Sequence, residues 1–203
     1  MNQLINEVFP KGLYEKGQNY IGLFSKVSLP ITAAAKLTMN FFRENGAFDP
    51  QTIKGNISTA GQVSNKTVRV HAMQVFATVK NGTDPVGILD DLGQDLQDFL
   101  TGAQVIFKRD QDVFINDVLS SYLSIQQISQ VALLNGAAPA GAIATPMISG
   151  LAGPVVELPV KPIMIPGQTF DFSITGYWPT AYATGSISLT VKLLTMSVEQ
   201  NKD

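Results

Sequence analysis

Cysteine is absent and charge is scarce. Without cysteine there is no disulfide, no thiolate metal site and no cysteine nucleophile, although the absence does not fix a compartment. Histidine occurs once, at His71. A lone histidine supplies no metal constellation and no Ser-His-Asp logic without a placed partner. Charged residues make up 15% of the chain, against about 25% in typical soluble domains. The formal net charge is −2, so no global basic field draws nucleic acid. Arg43, Arg69 and Arg109 are too sparse for a binding stripe, and no sequence-specific nucleic-acid partner is expected. Glycines occur singly, with no phosphate-cradling loop. The opening stretch MNQLINEVFPKGLYEKG lacks a basic start followed by an apolar run. It does not read as a secretory leader, and use in the cytosol is expected first.

The shortage of charge has a physical consequence. A chain of 203 residues fits one sandwich-type domain, or one domain plus an arm, and ordinarily coats itself with Lys, Glu, Arg and Asp. One this poor in them is expected to hide surface against other subunits, because charged residues are depleted at interface cores. The plainer alternative is a neutral coat of Ser, Thr, Asn and Gln.

What is present is mostly alternation. Phe170, Phe172 and Ile174 alternate with Asp171, Ser173 and Thr175. Ile187, Leu189, Val191 and Leu193 alternate with Ser186, Ser188, Thr190 and Lys192. Period two puts one set on a core face and the other towards water. The pattern resumes one residue out of phase as Leu194, Met196 and Val198, which predicts a β-bulge at Leu193-Leu194. Ahead of these, Val160–Ile165 is an apolar run closed by Pro166-Gly167. Such strands need a second sheet over their apolar face.

Earlier strands are expected at Ile21–Leu29, Lys36–Phe42, Thr52–Ser58, Thr67–Val79, Ala103–Phe107 and Val113–Ile115. A second bulge is expected near Met73, where the phase of the valines changes. Ile31–Ala35 reads either as a short helix or as part of the strand region. The clearest helix is Pro85–Thr101. Asp84 caps it, Leu89, Leu92, Leu96, Phe99 and Leu100 share one face, and Gly102 ends it. Asp90, Asp91, Asp95 and Asp98 are expected on the wet face. Leu119 to Leu134 is ambiguous, with Leu119, Tyr122, Ile125 and Ile128 at helical spacing.

Two segments stand apart. Residues 1–20 read as an arm, with Leu4, Ile5, Val8 and Phe9 as anchors; the alternative is a frayed terminus. Residues 136–153, GAAPAGAIATPMISGLAG, form a loop-like segment in a stretch without any charge from Asp117 to Glu157. Its prolines and glycines oppose a continuous membrane-spanning helix of about 20 residues. A long uncharged loop is expected to pack under its own domain or, preferably, against a neighbour. Ile143, Met147, Ile148 and Leu151 therefore join Leu4, Ile5, Val8 and Phe9 as candidate subunit contacts.

Chemistry is thin. Asp110, Asp112 and Asp117 faintly suggest a calcium loop but lack its glycine and terminal Glu. Trp178, with Tyr177 and Tyr182, reads either as a sugar-stacking patch or as a loop anchor at a strand end. No catalytic residue, metal site or cofactor is expected, and the chain does not read as an enzyme.

The ending Pro159-Val160-Lys161-Pro162-Ile163-Met164-Ile165-Pro166-Gly167-Gln168-Thr169-Phe170-Asp171-Phe172, followed by a long last strand, resembles the closing strands of viral jelly-roll capsid proteins. The helix at Pro85–Thr101, set between long strands, is similar to the helix many of them carry between early barrel strands. The resemblance covers the last quarter of the chain and the strand rhythm before it. It implies a mainly β fold: an antiparallel β-sandwich, a single jelly-roll-like barrel over 21–203 with one or two inserted helices. It further implies a virion shell subunit of the tailless icosahedral bacteriophage type, assembled in the host cytoplasm. Its partners would be copies of itself and other virion proteins; contact with an internal membrane is left open. A minor capsid or decoration protein would read the same. Two rival readings are a carbohydrate-binding or adhesin-type β-sandwich module with Trp178 and Tyr182 at its site, and a hydrolase on a sandwich.

Overall fold

The computed structural model describes residues 20–43, 61–63, 66–81, 92–123, 129–132, 147–182 and 185–197. Their order is β1 (Tyr20–Pro30), β2 (Ala35–Phe41), β3 (Val68–Asn81), α1 (Leu92–Gly102), β4 (Gln104–Arg109), β5 (Asp112–Val118), a 3₁₀ turn (Leu119–Tyr122), β6 (Ser129–Ala132), β7 (Met147–Ala152), β8 (Val156–Glu157), β9 (Ile163–Met164), β10 (Phe170–Trp178) and β11 (Ser186–Ser197). Two antiparallel sheets result. One has seven strands in the order β1-β11-β3-β7-β6, with the short β8 and β9 also paired to β3. The other has four, in the order β2-β10-β4-β5. The chain is a mainly β sandwich.

The core follows from the alternation. Phe170, Phe172 and Ile174 are buried, as are Ile187, Leu189, Val191 and Leu193. Phe172 sits among Phe41, Phe42 and Phe107, with ring centroids 5.6 to 6.2 Å apart. Such aromatic pairs contribute about 0.5–1.5 kcal/mol each beyond the area they bury. Phe42 has φ 59°, in the left-handed region, and its N–H donates to the buried Ser25 hydroxyl at 2.9 Å. This turn swings Phe42 into the same core as Phe41, which a regular strand would have pointed the other way. Gly61 N–H donates to Phe42 O, and Gly61 O accepts from Phe170 N–H. A Cβ at Gly61 would lie 2.9 Å from Phe170 O, so this crossing admits no side chain.

Of the two bulges expected, the one near Met73 on β3 is found and the one at Leu193-Leu194 on β11 is not. β11 pairs with β1 from Pro30↔Ser186 to Tyr20↔Met196 without a break. Against β3 its register shifts between Leu194 and Thr195, where Leu194 faces Ala72 but Thr195 faces Val70. The extra residue is His71, on β3. The two phase changes in the sequence thus mark one irregularity, carried by β3. Leu194 and Met196 are buried together with Thr195 and Ser197, so both faces of β11 are covered at this end.

Other expectations need correction. The helix is described from Leu92 to Gly102; Pro85, Leu89, Asp90 and Asp91 lie outside the described residues. Gly102 ends it, as expected. Ile31–Ala35 holds no helix: Ile31 N–H donates to Gly185 O and Ile31 O accepts from Tyr182 N–H, tying the β1–β2 connection to the β10–β11 loop. In Leu119–Leu134 the described residues form a 3₁₀ turn at Leu119–Tyr122 and a strand at Ser129–Ala132. Val160–Ile165 contributes only Ile163 and Met164 to a strand. Pro159 just before this stretch and Pro162 within it donate no ladder hydrogen bond, which keeps it a fragmentary edge. Val160 and Ile165 stay exposed. Within the uncharged segment, Met147–Ala152 is a strand between β3 and β6. Thr52–Ser58 lies outside the described residues.

Candidate interaction surface

Period two leaves one face of the four-stranded sheet outside the core. On β10 that face carries Asp171, Ser173, Thr175 and Tyr177. The registers set their neighbours. Thr175 lies between Thr38 and Gln104, and Ser173 lies between Asn40 and Ile106. Val118 and Asn116 extend the two rows onto β5. The middle of the face is therefore Thr38, Thr175, Gln104 and Val118 beside Asn40, Ser173, Ile106 and Asn116, with no charge among them. Hydrogen bonds between side chains order it: Thr175 Oγ1 donates to Thr38 Oγ1 at 3.2 Å, and Gln104 Nε2 donates to Asn116 Oδ1 at 2.7 Å.

Charge is confined to the ends. At one end Asp171 pairs with Arg43 and, at 3.6 Å, with Lys108. At the other, Lys36 stands opposite Tyr177, which is 61% exposed. Val113 and Val118 on the edge strand β5 are exposed as well. The inner side of the same sheet is closed by α1. Phe99 packs against Trp178, centroids 6.0 Å apart, and a Cβ on Gly176 would meet the Phe99 ring at 2.8 Å. Nearly all capacity for new contacts in this sheet thus lies on its outer face and edges.

The chemistry-bearing candidates do not assemble. Asp110 and Asp112 flank the β4–β5 turn, whereas Asp117 lies at the far end of β5, about 17 Å along an extended strand. Asp112 is held by Arg109 at 2.9 Å. Trp178 and Tyr182 are each 0% exposed, so they offer no sugar-stacking surface, and the carbohydrate site placed on them is not there. They are core anchors. Asp95, expected in water, is buried at 6% exposure and accepts from Tyr182 Oη at 2.6 Å. His71 is buried in the β3 bulge. Burial lowers its pKa, and the nearby cations Lys161 and Arg69 lower it further, against an opposing effect of Glu157.

Of the candidate subunit contacts, Leu4, Ile5, Val8, Phe9 and Ile143 lie outside the described residues. Met147, Ile148 and Leu151 occupy β7 at the register positions of Asn81, Lys80 and Ala77. The outer face of the four-stranded sheet was not among the candidates. Half of it was legible, since Asp171, Ser173 and Thr175 read as water-facing. Which strands flank them is set by pairings more than 60 residues apart in the chain, as between Ser173 and Ile106.

No protein-family model and no curated protein matches the sequence. Solved structures similar to it include the crystal structure of the decameric BFDV capsid protein, with 8% identity and a TM-score of 0.27, covering 90% of this chain and 99% of that one. A Nora virus structure matches with 9% identity and a TM-score of 0.26, covering 93% of this chain and 63% of that one. These weak neighbours are viral proteins, one of them a capsid protein, at scores that carry no argument about this chain.

Proposed function

We propose that the chain is a structural subunit of a virion shell, of the tailless icosahedral bacteriophage type, that self-assembles through symmetric contacts. The observation that carries this reading is the exposed, uncharged outer face of the four-stranded sheet, on a chain with only 15% charged residues. Exposed faces depleted of charge suit burial against other protein, and a sandwich that buries Trp178 and Tyr182 leaves a glycan-binding module without its aromatic platform. Assembly in the host cytoplasm and residence in the virion follow from the same reading. The purified chain is expected to form particles or large oligomers by size-exclusion chromatography with light scattering, and closed shells or regular patches by negative-stain microscopy. A chain that stays monomeric up to high concentration sinks the proposal.

A further inference from the structure

The row of charges at one end of the outer sheet face has an order that matters. Across the strands it reads Arg43 beyond the end of β2, Asp171 on β10 and Lys108 on β4. Asp171 and Lys108 are directly paired positions on adjacent strands, and their side chains remain 36% and 42% exposed. An anion and a cation placed side by side become self-complementary under a two-fold axis that runs between them. From this we infer that the outer face of the four-stranded sheet is a contact between two copies of this chain, related by a two-fold axis parallel to the strands and lying between β10 and β4.

That axis lays β10 of one copy over β4 of the other. Asp171 of each copy then faces Lys108 of the second copy, twice. Ser173 faces Ile106, Thr175 faces Gln104, and Asn40 faces Asn116. No like charges meet. A two-fold perpendicular to the strands does worse. It sets Lys36 at one end of β2 over Arg43 at the other end, cation on cation, and leaves Asp171 facing Tyr177. The exposed Val118 falls over Thr38 of the second copy and is covered. The size is adequate. Four strands about 4.8 Å apart and six to nine residues long make a face of roughly 19 by 25 Å, or ~500 Å² in flat projection. Side-chain relief brings this towards the ~800 Å² of accessible area that a standard interface buries on each partner. Thr, Ser and Asn side chains also lose little rotamer freedom on docking.

This inference rests on the reading of the chain as a self-assembling subunit, and cross-linking separates the two. Because the chain has no cysteine, single-cysteine variants report one contact at a time. Full-length Ser173→Cys and full-length Ile106→Cys are mixed in equal amounts and oxidised gently. Thr175→Cys mixed with Gln104→Cys is the second pair, should either variant of the first fail to fold. The mixtures are expected to give at least five-fold more disulfide-linked dimer than either variant oxidised alone. Adding Asp171→Lys to both members should reduce the yield at least three-fold, and adding Lys108→Asp as well should restore it. If the mixtures cross-link no better than the single variants, the inference is overturned. Should the wild-type chain still form particles in that case, the shell reading stands without this contact. Efficient cross-linking of a chain that never exceeds a dimer supports the contact and overturns the shell. A monomer that does not cross-link overturns both.

Discussion

Phe172 shows how much one side chain carries. It is 1% exposed and lies among the rings of Phe41 and Phe107, on the two strands that flank it in the four-stranded sheet. Phe172→Ala is expected to cost about 3–5 kcal/mol in a chemical denaturation experiment, through lost transfer energy and a cavity among rings that cannot collapse onto it. A second residue-scale test concerns Asp95 and Tyr182. The carboxylate is buried on the core side of α1, and the Tyr182 hydroxyl donates to it. Tyr182→Phe removes that donor and keeps the ring, so the loss should be about 1–3 kcal/mol. Asp95→Asn keeps a carbonyl acceptor and should cost less than Tyr182→Phe under the same conditions. Equal losses would show that the hydroxyl's bond is not what matters. Trp178 Nε1 is the buried side-chain polar atom without a partner among the described residues. It lies in the ring cluster beside Tyr182, with centroids 6.1 Å apart.

At the scale of elements, residues 153–164 form a strap along β3. Gly153 N–H donates to Val75 O, Val156 and Glu157 pair with Met73 and Ala72, and Leu158 N–H donates to His71 O. Val70 N–H then donates to Pro162 O, and Ile163 and Met164 pair with Arg69 and Val68. His71 sits where the strap's pairing is interrupted, near the ion pair of Lys161 and Glu157. Burial, with Lys161 and Arg69, lowers its pKa below the ordinary 6.5, against Glu157. The unfolded chain then binds more protons than the folded one as acid is added, so stability rises with pH in this window. The contribution of neutral His71 is full well above pH 6.5 and is lost as pH falls through 6.5 towards the lower folded value. His71→Gln should flatten the stability profile between about pH 7.5 and 5.5 in denaturant titrations, leaving the carboxylate-driven fall at lower pH. A variant profile parallel to the wild type throughout would remove His71 from this role. Gly153 is fixed by the same strap: a Cβ there would lie 2.6 Å from Val75 O, a backbone atom that cannot turn aside.

At the scale of the molecule, the two sheets enclose one core and each leaves an outer face, that of the seven-stranded sheet carrying Ser28, Ser188 and Thr78, and the proposed assembly would draw on these faces and on segments beyond the sheets. Residues 1–20 and Ile143 remain proposed contacts; of these, Tyr20 opens β1 and the others lie outside the described residues. Deletion of 1–20, and separately Ile143→Asp and Ile148→Asp, should shift assembly to smaller species by light scattering at a fixed concentration. Unchanged assembly in all three variants would leave the sheet face as the contact to pursue. Interface substitutions act mainly through dissociation rates, so dilution followed over time is the more sensitive reading.

Period-two alternation is a local property, and it was enough to predict strands β1, β2, β3, β10 and β11 and the burial of Phe170, Phe172, Ile174, Leu189 and Val191. Helical spacing likewise placed Leu92, Leu96 and Phe99 on a packed face. These patterns are written residue by residue, because the side-chain period of an element is a property of its own backbone. Asp95 escaped that reading: it lies within the stripe formed by Leu92, Leu96 and Phe99, and its burial depends on Tyr182, 87 residues away. The bulge near Met73 was legible as a phase change on β3, but that the phase change at Leu193-Leu194 belongs to the same irregularity was not, since an out-of-phase pattern in two paired strands does not reveal that one extra residue serves both. Trp178 and Tyr182 read preferably as anchors at a strand end, with a surface platform as the alternative, and the packing of α1 and Phe99 over them excludes the platform. The outer face is the largest such case. Its rows are assembled from four strands whose order, β2-β10-β4-β5, comes from pairings between distant segments. Alternation says which side chains point away from the core. Only the tertiary pairing decides which of them become neighbours, because that choice is made by backbone hydrogen bonds between segments that no local pattern connects.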